Sequence, residues 1–481
     1  MVGRLRRIPK PLCVLLVIAA VEAAAWATAL PPLQGPDEIA HLQYTQEIVE
    51  TPGIPWRSRS GGEPVRYSTE IATAVRWGQL STLAANPPAH PAWTAVDEDL
   101  WRRHDQGLGH RDRADGGWVS ALRNPPLYYV YEAVPYLVTY PASIFTREYV
   151  MRLANIPLLL VVVASTWLLL GHLFRRSRWL QTVGTAVVTL NPQLTHLAAI
   201  VNPDIALAAI WSLALLICVR TAEGGITRGR VAGLAALSAA SALTQPRGVP
   251  LFLAALLAIG LAWLRARRSA GAPPVLGPVA AWSAAAASVA AAGVIYVWYA
   301  TRGELSAGPV RQFASYLWQF YLPKLGFLAP NPQSGWTVRD VYIDRFYGTF
   351  AQLEVTFPAW LDHLLALGSA AGVVAVVVAL VVHRGAVARR RAALAVMAAA
   401  ALIYILALHA AAWRNILIAP GDPILTGRYL VPLIALFGVC VAMVVSALPR
   451  RVAGFAGAAI VSIALVVQFA AIGAVLERFY A

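Results

Sequence analysis

Long apolar runs separated by short arginine clusters set the pattern of this chain. A first run covers about residues 12–30. A polar, proline-broken stretch then extends over 31–150. Ten more apolar runs follow, near 153–174, 179–198, 205–219, 231–245, 249–264, 277–300, 359–382, 392–410, 428–447 and 452–475. Most approach the ~20 residues that an α-helix needs to cross a bilayer core. Arginines gather after every second run: Arg175, Arg176 and Arg178, then Arg220 to Arg230, Arg265 to Arg268, Arg384 to Arg391, and Arg450 with Arg451. Basic clusters mark cytoplasmic loops. The pattern predicts an all-α polytopic membrane protein with about 11 transmembrane helices, its amino terminus cytoplasmic and its carboxyl terminus outside.

The same alternation divides the chain. Residues 1–30 form the cytoplasmic amino terminus and first span. Residues 31–150 form a large extracytoplasmic loop, with short helices expected at 36–50, 69–84 and 94–105. Spans two to seven fill 151–300, an aromatic-rich extracytoplasmic loop fills 301–358, and spans eight to eleven fill 359–481. The stretch 125–144 is apolar but broken by Pro135 and Pro141, so it reads as interfacial or re-entrant. The small residues of Ala25-Trp26-Ala27-Thr28-Ala29 also suit a signal-peptide cleavage site. The run before them is long for a signal core, which favours a retained span.

Composition narrows the class. Hydrophobic residues make up 58% of the 481 and charged residues 13%, about half the charged share of a soluble domain. That excludes a soluble enzyme, a disordered chain and a disulfide scaffold. The net charge is +15, yet residues 31–150 hold 14 of the 24 acidic residues and only 10 of the 39 basic ones. The basic excess therefore lies between spans, which argues against a nucleic-acid partner and for the bilayer. Only two lysines occur, Lys10 and Lys324, and the chain is rich in alanine. This suits a GC-rich bacterial genome. Cys13, Cys218 and Cys440 all lie in apolar runs and show no metal spacing.

Candidate chemistry collects on the extracytoplasmic side. In Gly35-Pro36-Asp37-Glu38-Ile39-Ala40-His41, a helix would put Asp37, Glu38 and His41 on one face. The acids either stabilise a helix amino terminus, or they act with the histidine as a general base or a divalent-cation site. Asp204 is the one acid in residues 151–219; it either caps the following span or faces Asp37. Arg428 and Tyr429 open a late span on the side where arginine is unexpected. Arg428 either snorkels to headgroups or grips a phosphate with paired hydrogen bonds. Asn124-Pro125-Pro126-Leu127-Tyr128-Tyr129 reads as an aromatic anchor or as part of a substrate site. Glu22, near the middle of the first span, is an intramembrane acid: either a functional candidate or, the favoured reading, a protonated glutamate bonded to a neighbouring helix.

Taken in order, these motifs resemble the GT-C superfamily of integral-membrane glycosyltransferases. The features are an acidic pair after the first span, Pro-Pro-Leu-Tyr-Tyr closing the first outer loop, an acid in the second outer loop, and Gly-Arg-Tyr opening a late span. Within it, the chain is similar to a bacterial family of membrane proteins catalogued as a domain of unknown function. That likeness rests on Pro36 to His41, Val201-Asn202-Pro203-Asp204, Phe346-Tyr347-Gly348-Thr349-Phe350 and Gly427-Arg428-Tyr429, and it covers about residues 10–447. The resemblance implies a polyprenyl-phosphate sugar donor and a cell-envelope glycan, lipid or protein acceptor. It also implies an active site on the outer face of a bacterial plasma membrane. Asp37 becomes the catalytic base with Glu38 beside it. His41, Asp204, Arg428, Tyr429 and Tyr128 become substrate contacts. A divalent cation, Mg or Mn, would sit on Asp37, Glu38 and His41. The chain departs from the superfamily in having Asn124 where a histidine or glutamine is usual, and no large soluble carboxyl-terminal domain is expected after the last span, so any acceptor would be held by the membrane core and outer loops. The competing classes are a transporter or flippase for a lipid-linked saccharide, and a non-catalytic binding partner. A transporter should show internal repeats and mid-membrane polar groups. Here Glu22 is the only mid-span acid and the acids gather outside, which favours the enzyme.

Overall fold

The computed structural model describes residues 8–51, 68–86, 89–90, 93–113, 121, 124–175, 177–268, 310–328, 337–418 and 425–481. Among them, eight helices are long and apolar enough to cross a membrane. They are Lys10–Ala29, Ile144–Leu173, Asp204–Gly224, Pro246–Arg268, Ala359–Val382, Arg391–Trp413, Gly427–Ala447 and Arg450–Tyr480. These match eight of the eleven expected spans. The run at 179–198 forms two shorter helices, Arg178–Thr189 and Pro192–Leu197. The break has a local cause: Asn191 caps the second helix by accepting from Leu194 N at 2.9 Å, and Pro192 takes its first turn. The run at 231–245 belongs to a 17-residue helix, Arg228–Thr244. The run at 277–300 lies outside the described residues.

Helix Asp204–Gly224 is the most enclosed of the spans. It packs against Ile156–Leu173, Arg228–Thr244, Leu251–Arg268 and Arg391–Ile418. Its apolar residues run all round rather than in one stripe, as a helix at the centre of a bundle requires. Gly225, with φ +83°, ends it in the left-handed region. Helix Ala359–Val382 is the opposite case. Leu364, Leu367, Val373, Val374, Val377 and Val378 are all exposed. In a bilayer that face meets lipid, so its exposure carries no penalty.

The three short helices expected in the first loop are present as Glu38–Glu50, Thr69–Trp77 with Leu80–Ala85, and Ala95–Asp105. The last begins with a capping box, in which Thr94 and Asp97 exchange side-chain and backbone hydrogen bonds. The 125–144 stretch holds helix Leu127–Val138, with Pro135 inside it, before the chain enters Ile144–Ala154. A buried ionic cluster fixes this region. Arg147 bonds Glu70 and Tyr136, Tyr136 donates to Glu50 at 2.6 Å, and Arg113 reaches Glu50 at 3.0 Å. A two-stranded antiparallel hairpin pairs Thr349 with Thr356 and Phe350 with Val355. Between its strands, Gln352 donates to the carbonyls of Leu33 and Gly35. The hairpin thus ties residues near 350 to the start of the first loop.

Candidate functional site

Five chain segments converge on one cavity of about 270 Å³. Asp37 and His41 come from the start of the first loop, Ala121 and Asn124 from its end, Asn202 and Asp204 from the head of the central helix, Gln245 and Arg247 from the turn before Leu251–Arg268, and Arg428 and Tyr429 from the start of a late span.

The first segment divides two neighbouring carboxylates. Helix Glu38–Glu50 starts at Glu38, and Asp37 precedes it with φ +61° and ψ 8°. Aspartate tolerates this left-handed conformation better than most residues. The expected common face for Asp37, Glu38 and His41 assumed a helix that includes Asp37. The left-handed residue breaks that assumption and sends the two carboxylates apart.

Glu38 is fully buried and saturated. It accepts from Arg152 Nε at 2.9 Å, Arg152 Nη2 at 2.6 Å, Gly35 N at 2.8 Å and Val201 N at 2.9 Å. Burial pushes its carboxyl up, but the Arg152 charge and these bonds together hold it below the usual range. Arg152 also binds Glu148 at 2.9 Å and donates to the carbonyls of Leu30 and Pro31. Gly35 is required here, because a Cβ would stand 2.7 Å from Glu38 Oε2 and 2.9 Å from Ile200. Glu38 is therefore a clamp between the first loop, the second span and residue 201, and it does not line the cavity.

Asp37 makes no cap bond to the helix behind it. Its carboxylate instead accepts from Arg428 Nη2 at 2.8 Å, and 56% of its side chain stays exposed. Burial pushes this carboxyl up, yet Arg428, His41 and Arg247 more than offset that and hold it below the ordinary value. His41 is buried, and its Nδ1 lies 2.9 Å from Tyr129 Oη, which also accepts from Asn124 Nδ2 at 2.9 Å. Burial pushes the imidazole down to about 4, against the opposing charges of Asp37 and Asp204. It is neutral at pH 7.

Asp204 does not cap its helix with its side chain either. Its Oδ1 accepts from Gln245 Nε2 at 2.9 Å and Arg247 Nη2 at 2.6 Å. Asn202 places it, accepting from Asp204 N at 2.9 Å while donating to the Pro36 carbonyl at 3.2 Å. One side chain thereby holds the first loop beside the central helix. Arg428 is 6% exposed, with Nε 4.0 Å from Asp204 Oδ2. Gly427 permits its approach, since a Cβ there would collide with the backbone of Arg345 and Phe346. Tyr429 lies under Arg247, whose guanidinium carbon is 3.7 Å from the ring centroid.

The structure thus gathers Asp37, His41, Asp204, Arg428 and Tyr429 and leaves out two expected residues. Glu38 is turned to Arg152. Tyr128 is buried with its hydroxyl on Asn155, and its neighbour Tyr129 makes the contact to His41 instead. One residue along a helix turns the side chain by about 100°. The expected cation set of Asp37, Glu38 and His41 does not form, because Glu38 has four other partners. No group of three or more His, Cys, Asp or Glu residues suited to a metal occurs among the described residues. Arg247 and Gln245 are additions that motif reading missed. A signal existed: Arg247 sits between two apolar runs on the side opposite the arginine clusters. Glu22 lies apart from the cavity, and its Oε2 makes no hydrogen bond.

Fold and site together define a polytopic helical membrane protein with a charged cavity built at one end of the bundle. The chain belongs to the family of predicted membrane proteins DUF2142, a family of unknown function whose profile matches residues 22–437. That match contains every residue of the cavity. No curated protein matches the chain.

Proposed function

We propose that this protein is a glycosyltransferase of the GT-C superfamily. It moves a sugar from a polyprenyl-phosphate donor to a cell-envelope acceptor on the outer face of a bacterial plasma membrane. The observation that carries the reading is the convergence of Asp37, Asp204 and Arg428 on one cavity from positions more than 160 residues apart in sequence. A half-exposed carboxylate beside a buried guanidinium offers a base and an anion holder in one place.

The chemistry follows from those two groups. An acceptor hydroxyl attacks the anomeric carbon of the donor. The bond between that carbon and the phosphate oxygen breaks, and the polyprenyl phosphate leaves with the electron pair. The hydroxyl proton passes to Asp37, which is ionised at neutral pH. A base positioned within hydrogen-bond reach contributes roughly 10²–10⁴-fold. Arg428 stabilises the charge that grows on the leaving phosphate. Because its Nη2 already holds Asp37, one guanidinium sets the position of the base relative to the phosphate. His41, neutral and tied to Tyr129, is a hydrogen-bond partner for substrate rather than a charge.

The test is sugar transfer by the full chain in nanodiscs, given radiolabelled polyprenyl-phosphate sugars and a cell-envelope extract, with Asp37→Asn beside the wild type. Transfer that disappears in the folded variant supports the reading. Donor binding without turnover in either protein replaces it with a flippase or a non-catalytic binding partner. Failure of every donor to bind removes the lipid-linked substrate class.

A further inference from the structure

Two guanidiniums enter the cavity with unused hydrogen-bonding edges. Arg428 Nε and Nη1 and Arg247 Nη1 are buried and make no hydrogen bond. Burying a cation's donors without acceptors is expensive, and these arginines lie in one wall. Each donates to a carboxylate through its Nη2, Arg428 to Asp37 at 2.8 Å and Arg247 to Asp204 at 2.6 Å, and Arg428 Nε lies a further 4.0 Å from Asp204 Oδ2. Tyr429 holds both in place, with the Arg247 and Arg428 guanidinium carbons 3.7 and 5.2 Å from its ring centroid. Both side chains are thus oriented before any ligand arrives. A planar fork of donors fixed in this way suits a tetrahedral oxyanion, which can accept from two arginines at once.

We propose that Arg247 and Arg428 form a two-arginine clamp for a single phosphate group, with Asp204 and Gln245 as the residues that position Arg247. The clamp names a second binding residue at the same site and rests on the donor reading above. Asp37 and Asp204 balance the charge of the two arginines, so neither guanidinium stands uncompensated.

The experiment is equilibrium binding of radiolabelled farnesyl phosphate to the full chain in phosphatidylcholine nanodiscs. Farnesol and inorganic phosphate serve as competitors, and sugar transfer is measured on the same samples. Wild type should bind farnesyl phosphate at least about tenfold more tightly than farnesol, as expected for charge-assisted bonds. Arg247→Ala should lose about tenfold or more. Arg247→Lys keeps the charge beside Asp204 without the fork, so it should fold like wild type and still bind severalfold more weakly. Competition by inorganic phosphate alone would assign the clamp to a free phosphate, whereas a requirement for the prenyl chain would assign it to a lipid. Equal binding of farnesol, or unchanged affinity in folded Arg247→Lys and Arg247→Ala, overturns the clamp. Arg247-dependent binding without any sugar transfer leaves the clamp standing and removes the transferase reading. Transfer with unaltered donor KM in both Arg247 variants does the reverse.

Discussion

Asp37 and Glu38 are adjacent carboxylates with opposite fates. Glu38 accepts four hydrogen bonds and has no exposed surface. Asp37 accepts from one guanidinium and keeps more than half of its side chain open. The same contrast separates their arginines. Arg152 spends its donors on Glu38, Glu148 and backbone carbonyls, whereas Arg428 leaves Nε and Nη1 unused. A buried ion pair that is fully satisfied holds a fold together. One with open valences beside a cavity is poised for a ligand. The difference, more than the mere presence of acids near the membrane, locates the site.

Substitutions at Asp37 and at Arg152, the partner of Glu38, should break this contrast most strongly. Asp37→Asn should lower sugar transfer by roughly 10²–10⁴-fold at a smaller cost in thermal midpoint than Arg152→Ala, because Asp37 is half exposed and asparagine can still accept from Arg428, as read by transfer rate and thermal unfolding together. Arg152→Ala should act the other way. Removing one partner of a buried pair leaves Glu38 and Glu148 uncompensated, and the loss should be about 3–5 kcal/mol of stability. A thermal midpoint equal to wild type in Arg152→Ala would remove the structural role given to Glu38.

A pH series sharpens the comparison. Burial lowers the His41 pKa from 6.5 to about 4, so the unfolded chain binds more protons between those values. Stability from this group is therefore full above pH 6.5 and falls as pH drops from 6.5 toward 4. The total is on the order of 3 kcal/mol. In His41→Gln, that part of the decline should vanish from a stability-versus-pH curve. Asp37 provides a kinetic counterpart. Burial raises its carboxyl, but Arg428, then His41 and Arg247, bring it below its ordinary value. Arg428→Gln should therefore move the acid limb of the transfer profile to higher pH. The smallest effect belongs to the exposed pairs of Arg102 with Glu98 and Asp99. Arg102→Ala should change stability by less than about 1 kcal/mol.

Much of the architecture was legible because a bilayer demands long apolar runs. Eight of the expected spans appear as helices of fitting length and composition, and the three loop helices lie close to their expected places. The site was legible in part. Asp37, Asp204 and Arg428 stood out as charges at the ends of apolar runs, where hydropathy gives no reason for them. Opposite facing of Asp37 and Glu38 was not legible, because it depends on one left-handed residue before the helix. That Tyr128 faces Asn155 while Tyr129 faces His41 was likewise not legible, since the helix phase near Pro126 is set by tertiary packing. Arg247, in the turn before Leu251–Arg268, belongs to no sequence motif. Its role appears only when the fold brings that turn against Asp204 and Tyr429.

The most direct measurement compares Asp37→Asn and Glu38→Gln side by side, reading sugar transfer and thermal midpoint on the same nanodisc preparations. The account predicts that Asp37→Asn lowers transfer by roughly 10²–10⁴-fold with the smaller change in midpoint, whereas Glu38→Gln lowers the midpoint more and any folded fraction still transfers. Undiminished transfer by Asp37→Asn, or a stable and inactive Glu38→Gln, would contradict it.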